Sequence, residues 1–218
     1  MLIEINWDDL TINMYISEIE NIADFYANQI LPLTNILIKN QENQKAEDEL
    51  TKIEIQEIIS RAYSIKYKMI GTAISSLIET WEQQVFLLLK EKGLEVNNDY
   101  KALKQVVLSR FNLNIDDDLF KELRLYRYVN NFMKHGQGGW AEPKLENTRF
   151  FQKAEEYENI INVLHTGKVL NLKPTDIKEC KDVIIKFWEL LKVNIKDEKD
   201  AGYRKKLKKK LKNCLNKD

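Results

Sequence analysis

Between Thr51 and Lys92 the chain has no proline and a single glycine, Gly71, and its apolar residues return every three or four positions. Ile55, Ile58, Ile59, Ala62, Ile65 and Met69 are followed by Ala73, Leu77, Trp81, Val85 and Leu88. That period gathers them on one side of a helix. At ~1.5 Å per residue such a helix would run for ~60 Å unless Gly71 bends it, and Gly93 suits its end. A rod of that length buries its apolar side against other helices. It therefore predicts an all-α fold, a bundle of long antiparallel helices. Seven glycines and three prolines in 218 residues leave few other places to break a helix.

The remaining segments fit around this rod. Residues 8–39 open with Asp8 and Asp9 as capping candidates. They carry Leu10, Met14, Ile19, Ile22, Phe25, Tyr26 and Ile30 at helical spacing, with Pro32 expected to kink or interrupt the run. The polar stretch 40–50 reads as a connection or a solvated helix end. A shorter helix is expected over Asp99 to Phe111. Another follows Asp116, Asp117 and Asp118 and ends at His135. Three carboxylates in a row suit a cation, but at a helix start they are better read as capping and dipole partners. Further on, a helix is expected near Phe150 to Leu164 and a small β-hairpin over 163–172 around Thr166-Gly167. A last packed helix starts at Thr175 or Asp176 and holds Ile177, Cys180, Ile184, Phe187, Trp188 and Leu191. Residues 1–195 form one helical domain in this reading, and 196–218 form a basic appendage. No internal repeat is visible.

Charge and cysteine usage narrow the function. Lys+Arg and Asp+Glu both count 34, so any attraction for nucleic acid must come from local patches. Cys180 and Cys214 have no CxxC spacing and no histidine cluster, which implies neither a zinc site nor a disulfide framework. No metal and no cofactor is called for. No stretch approaches the ~18 apolar residues of a membrane span, and no basic-then-apolar leader opens the sequence, so a cytoplasmic protein is expected.

One local patch is the tail. Tyr203 to Lys217 holds eight Lys or Arg residues and no acid, while Tyr203, Leu207, Leu211 and Leu215 recur at i, i+4. The segment reads as a basic helix with a narrow apolar stripe. It packs by that stripe, or contacts RNA or DNA phosphates through Arg204, Lys205, Lys206, Lys208 and Lys209. An anionic membrane surface is the weaker alternative, because the stripe is thin and lacks Trp or Phe.

The richest chemistry lies in residues 123–139. On a helix, Arg124, Tyr128, Asn131 and His135 stand at i, i+4, i+7 and i+11 and share a face. The chain has only two histidines; the other, His165, reads as surface structure in a turn. Imidazole accepts and donates protons near neutral pH. Cleavage of RNA by its own 2′-hydroxyl needs such a group and a cation to stabilise the charged phosphorane. His135 fits the proton role and Arg124 or Arg127 the charge role. Asn131 would orient the ring or bind a phosphate oxygen. Gly136, Gly138 and Gly139 would let backbone approach a substrate closely. The plainer reading is that Lys-His-Gly simply stops a helix.

The stretch Asn130-Asn131-Phe132-Met133-Lys134-His135-Gly136 resembles the Arg-Asn-x-x-x-His motif of the HEPN superfamily, all-α proteins of bacterial conflict systems and RNA processing. Asn131 and His135 match, and Asn130 stands where the motif has arginine. Glu79-Thr80-Trp81-Glu82 and the Ile185 to Leu191 segment are similar to segments flanking a Leu-Arg-x-x-x-x-x-Asn-x-x-Lys-His-Gly motif in one HEPN-like branch, and the resemblance covers roughly residues 50–192. It implies a helical bundle, often a homodimer with both motifs facing across the interface, and metal-independent endoribonuclease activity. It also implies a role in toxin–antitoxin or antiphage defence, with an antitoxin or defence-complex partner. Its catalytic residues would be His135, Arg124, Arg127 and Asn131, with RNA contacts from Asn130, Lys134 and the tail. The alternative it implies is a catalytically inactive RNA-binding or protein-interaction module. Trp81 and Trp188 are expected in the core; Glu82 could reach the motif from the facing helix, but an exposed or capping position is the favoured reading.

Overall fold

The computed structural model describes residues 7–44, 48–91, 118–136, 139–153 and 168–192. Within them the protein is an all-α bundle. Helix α1 spans Trp7–Phe25, α2 Leu31–Glu42, α3 Glu49–Glu91, α4 Asp118–His135 and the one-turn α5 Glu142–Leu145. Helix α6 covers residues 174–192. Strands β1 (Phe151–Lys153) and β2 (Lys168–Leu170) form a small antiparallel ribbon.

Pro32 does not cut the first helical run. The run widens just before it, as a π-helical stretch over Tyr26–Ile30 in which the Leu31 N–H donates to the Tyr26 carbonyl. A proline ring clashes with the carbonyl four residues back and offers it no N–H. A wider turn upstream relieves both problems and lets α2 continue with Pro32 in its first turn.

Helix α3 is the spine of the bundle, packing against α1, α2 and α4. Its C-terminal half meets the period expected for it, with Ile74, Leu77, Ile78, Trp81, Val85 and Leu88 all buried. Its N-terminal half differs: Ala62 is buried, but Ile58 and Ile65 are 42% and 47% exposed. Gly71 does not interrupt the helix, which is continuous over Glu49–Glu91. A Cβ placed there would stand 2.7 Å from the Met133 Sδ, so the missing side chain leaves the space that the end of Met133 on α4 fills.

Helix α4 buries Phe120, Leu123, Tyr126 and Val129 at steps of three, and α6 buries Ile177, Cys180, Ile184, Phe187, Trp188 and Leu191. Aromatic edges join them: Phe187 sits 5.3 Å from Trp81 and 6.1 Å from Phe120, both edge-to-face. Both core tryptophans are where expected. Gln84, 2% exposed, ties three helices together. Its amide donates to the Tyr15 carbonyl (3.2 Å) and to Glu18 Oε2 (2.8 Å) on α1, and accepts from the Trp188 indole on α6 (3.2 Å).

Helix α6 begins one residue earlier than expected. Pro174 occupies its first turn, and the Lys173 N–H donates to Asp176 Oδ2 at 2.5 Å, which is half of a capping box. The ribbon corrects one expectation. Residues 151–153, placed in a helix from sequence, are strand, and they pair with 168–170 in the register Phe151↔Leu170. Leu170 and Leu172 alternate inward onto the core, which favours an extended backbone. The expected 99–111 helix, the Thr166-Gly167 turn, His165, most of the 150–164 helix and the whole tail lie outside the described residues. No described helix is long and apolar enough to cross a membrane.

Candidate functional site

Helix α4 ends as its sequence suggests. Gly136 adopts φ +72° and its N–H donates to the Phe132 carbonyl at 2.8 Å, a left-handed cap that stops the helix one residue after His135. The imidazole is exposed. Among the described residues it has no hydrogen-bond or ion-pair partner.

The residues singled out around it divide into three groups. Arg124, Tyr128 and Asn131 share its face, all half-buried. The Asn131 side-chain amide donates to the Arg127 carbonyl at 2.8 Å, which ties the side chain to its own helix. Arg124 has no ion-pair partner among the described residues. It stands eleven residues before His135, about 20° round the helix and about 16 Å along it.

Arg127 is in the second group. It lies about 80° round the helix from His135. Its side chain is 13% exposed and Nε donates to Glu82 Oε1 on α3. Glu82, expected exposed or capping, reaches the motif after all and holds this arginine against the bundle. Two turns further along α4, Lys134 Nζ pairs with Glu79 Oε1 at 2.6 Å. Two cations proposed for RNA thus serve the α3–α4 seam, although Lys134 is still 46% exposed.

The third group is Asn130. Expected among the RNA contacts, it is 3% exposed and faces the core, and its Oδ1 finds no partner among the described residues. Its place one step from Val129 on the buried face explains why: a side chain here cannot reach a surface ligand. Arg204, Lys205, Lys206, Lys208 and Lys209 lie outside the described residues.

Sequence reasoning missed Trp140. It is 57% exposed and meets the Tyr128 ring edge-on at 5.7 Å, which sets an indole on the His135 face. A Cβ at Gly139 would stand 3.2 Å from the Gly136 carbonyl oxygen, a close approach that glycine permits. An exposed tryptophan just past a glycine-rich helix stop was the available signal.

Other polar clusters are occupied internally. The Arg149 guanidinium bonds the Tyr126 hydroxyl (2.9 Å), pairs with Glu179 (2.9 Å) and lies 4.7 Å over the Phe150 ring. Burial pushes the Tyr126 hydroxyl far above its usual range. The Cys180 thiol is likewise raised by burial, with Asp176 adding to it, which rules it out as a nucleophile near neutral pH. No group of three or more His, Cys, Asp or Glu among the described residues could hold a metal ion. Comparison with protein-family models, curated proteins and solved structures finds no match for this chain.

Proposed function

We propose that this protein is a HEPN-like endoribonuclease of the cytoplasm, acting as a toxin or antiphage defence factor, with His135 as its acid/base group. The carrying observation is an exposed imidazole at a helix end, sharing its face with a guanidinium, an amide and an exposed indole. His135 takes the 2′-hydroxyl proton, the 2′ oxygen bonds to phosphorus as the P–O5′ bond breaks, and the imidazolium returns the proton to the leaving 5′ oxygen. The products are a 2′,3′-cyclic phosphate and a 5′-hydroxyl. Arg124 stabilises the phosphorane charge, Asn131 positions ring or phosphate, and Trp140 with Tyr128 offers a stacking surface for a splayed base. Since the 2′-hydroxyl is the nucleophile, the step asks for no metal.

Geometry favours a site shared between two copies. Helical side chains lean toward the N-terminus, so Arg124 leans away from His135 across the ~16 Å that already separates them. Two copies packed α4 against α4 in opposite directions would put each imidazole beside the other copy's Arg124, giving two equal sites. The test mixes inactive variants. His135→Ala and Arg124→Ala, each inert alone, should regain about a quarter of the sites when mixed, because half the dimers are hybrids and each hybrid has one intact site. Cleavage unaffected by His135→Ala would overturn the reading.

A second reading has its own support in the Glu82–Arg127 pair, which leaves fewer cations for a phosphorane. It makes the protein a non-catalytic RNA-binding module using the same face and the basic tail. Salt-sensitive RNA binding without cyclic-phosphate product would select it.

A further inference from the structure

Among the described residues, none covers the outer face of helix α1. Leu10, Met14 and Phe25 are 43%, 64% and 46% exposed, and with Asn21 they form one stripe at helical spacing. Part of that stripe borders a groove of about 710 Å³, lined also by Ile22, Tyr26 and Ser76. The helix carries five carboxylates, Asp8, Asp9, Glu18, Glu20 and Asp24, and no lysine or arginine. Glu18 borders the stripe on one side, Glu20 and Asp24 on the other, and all three are exposed.

The chain leaves the described residues beside this face. Lys192, last in α6, donates to Asn13 Oδ1 on α1 at 2.9 Å. Trp188 packs 5.1 Å from Tyr15, so α6 runs opposite to α1 and exits past its N-terminal end. Residues 193–202 follow, enough chain to turn back over ~30 Å. Next comes the segment in which Tyr203, Leu207, Leu211 and Leu215 recur at i, i+4. As a helix it would carry Lys206 and Lys210 along one edge of the stripe and Arg204, Lys208 and Lys212 along the other.

We propose that residues 203–215 dock as a helix on the outer face of α1, apolar stripe into the groove, basic edges against Glu18 and against Glu20 and Asp24. The lengths agree: Leu10 to Phe25 spans about 22 Å and Tyr203 to Leu215 about 18 Å. A return from the α6 end sets the two helices parallel. Tyr203 then lies near Leu10, and Cys214 lies near Asn21. Apolar and charged surfaces are matched together, which neither a membrane nor a nucleic acid would need from α1. The inference does not rest on the ribonuclease reading.

Cys214 supplies the test in the full chain. Asn21→Cys is oxidised with oxidised glutathione, which takes up the two electrons, and linked peptides are identified by mass spectrometry. Docking predicts an intrachain 21–214 disulfide, lost in Cys214→Ser. It should form at least ~10-fold faster than a link from Lys144→Cys on α5, and several-fold more slowly after Glu20→Lys with Asp24→Lys. Equal rates at 21 and 144 would overturn the proposal. So would indifference to the charge reversal, or a link solely between chains, which would assign the face to a second copy.

Discussion

Breaking the Glu82–Arg127 pair separates a structural arginine from a catalytic one. Arg127 is 13% exposed and Glu82 29%, so the pair lies between the exposed and the buried extremes. Exposed pairs contribute ~0.2–1 kcal/mol, and stranding a buried charge costs ~3–5 kcal/mol. Glu82→Ala is therefore expected to cost about 1.5–3 kcal/mol, because it removes the Glu82 carboxylate from a largely buried guanidinium. For a chain of this size that lowers Tm by roughly 3–12 °C, at ~2–4 °C per kcal/mol. Replacing both partners by apolar residues of similar volume, Glu82→Leu with Arg127→Met, should return stability to within about 1 kcal/mol of the parent. Urea denaturation of the parent, Glu82→Leu, Arg127→Met and the double variant closes the double-mutant cycle, and cleavage per folded molecule is measured in parallel. If Arg127 only clamps α3 to α4, the double variant regains stability and keeps its activity. A double variant that is stable but loses cleavage would refute this reasoning and return Arg127 to the phosphate.

Two further outcomes follow from the same structure. Asn130→Arg restores an arginine at the motif's position, yet it should destabilise the fold by about 3 kcal/mol or more and rescue nothing, since residue 130 faces the core; thermal melts and cleavage assays read both effects. Asp176 has its carboxyl raised above 3.8, chiefly by burial, against the opposing bond from the Lys173 N–H. The folded state then holds its proton more tightly than the unfolded one. Relative to Asp176→Asn, the parent should gain stability as pH falls from neutral toward ~4 and lose that gain as pH rises through the folded value. Paired denaturation curves across that range check the sign.

How legible the molecule was in its sequence depended on what each signal is made of. Helical period is local, so α3, α4 and α6 could be read directly, along with their buried stripes. What a helix meets is not local. The pattern gave no reason for Ile58 and Ile65 to differ from Leu77 and Trp81, because the difference lies in how many helices surround each half of α3. Nor could Gly71 be read as the seat of Met133, since that depends on a residue sixty positions away. In the site, the shared face of Arg124, Tyr128, Asn131 and His135 followed from spacing alone. The roles of Arg127 and Asn130 did not, for they depend on which side of α4 faces α3 and the core. The extended backbone at 151–153 is set by a partner seventeen residues downstream, which no window of local sequence contains.

The Gln84 amide has a consequence beyond its three bonds. Its donor side reads α1 and its acceptor side reads α6, so the same planar group records the position of the first helix and the last. Neither can slide or peel away alone without stranding a polar atom in a dry interior. The two ends of the folded core should therefore exchange their amide protons together, as one opening event rather than two, and the molecule should come apart as a closed loop rather than unravel from either terminus.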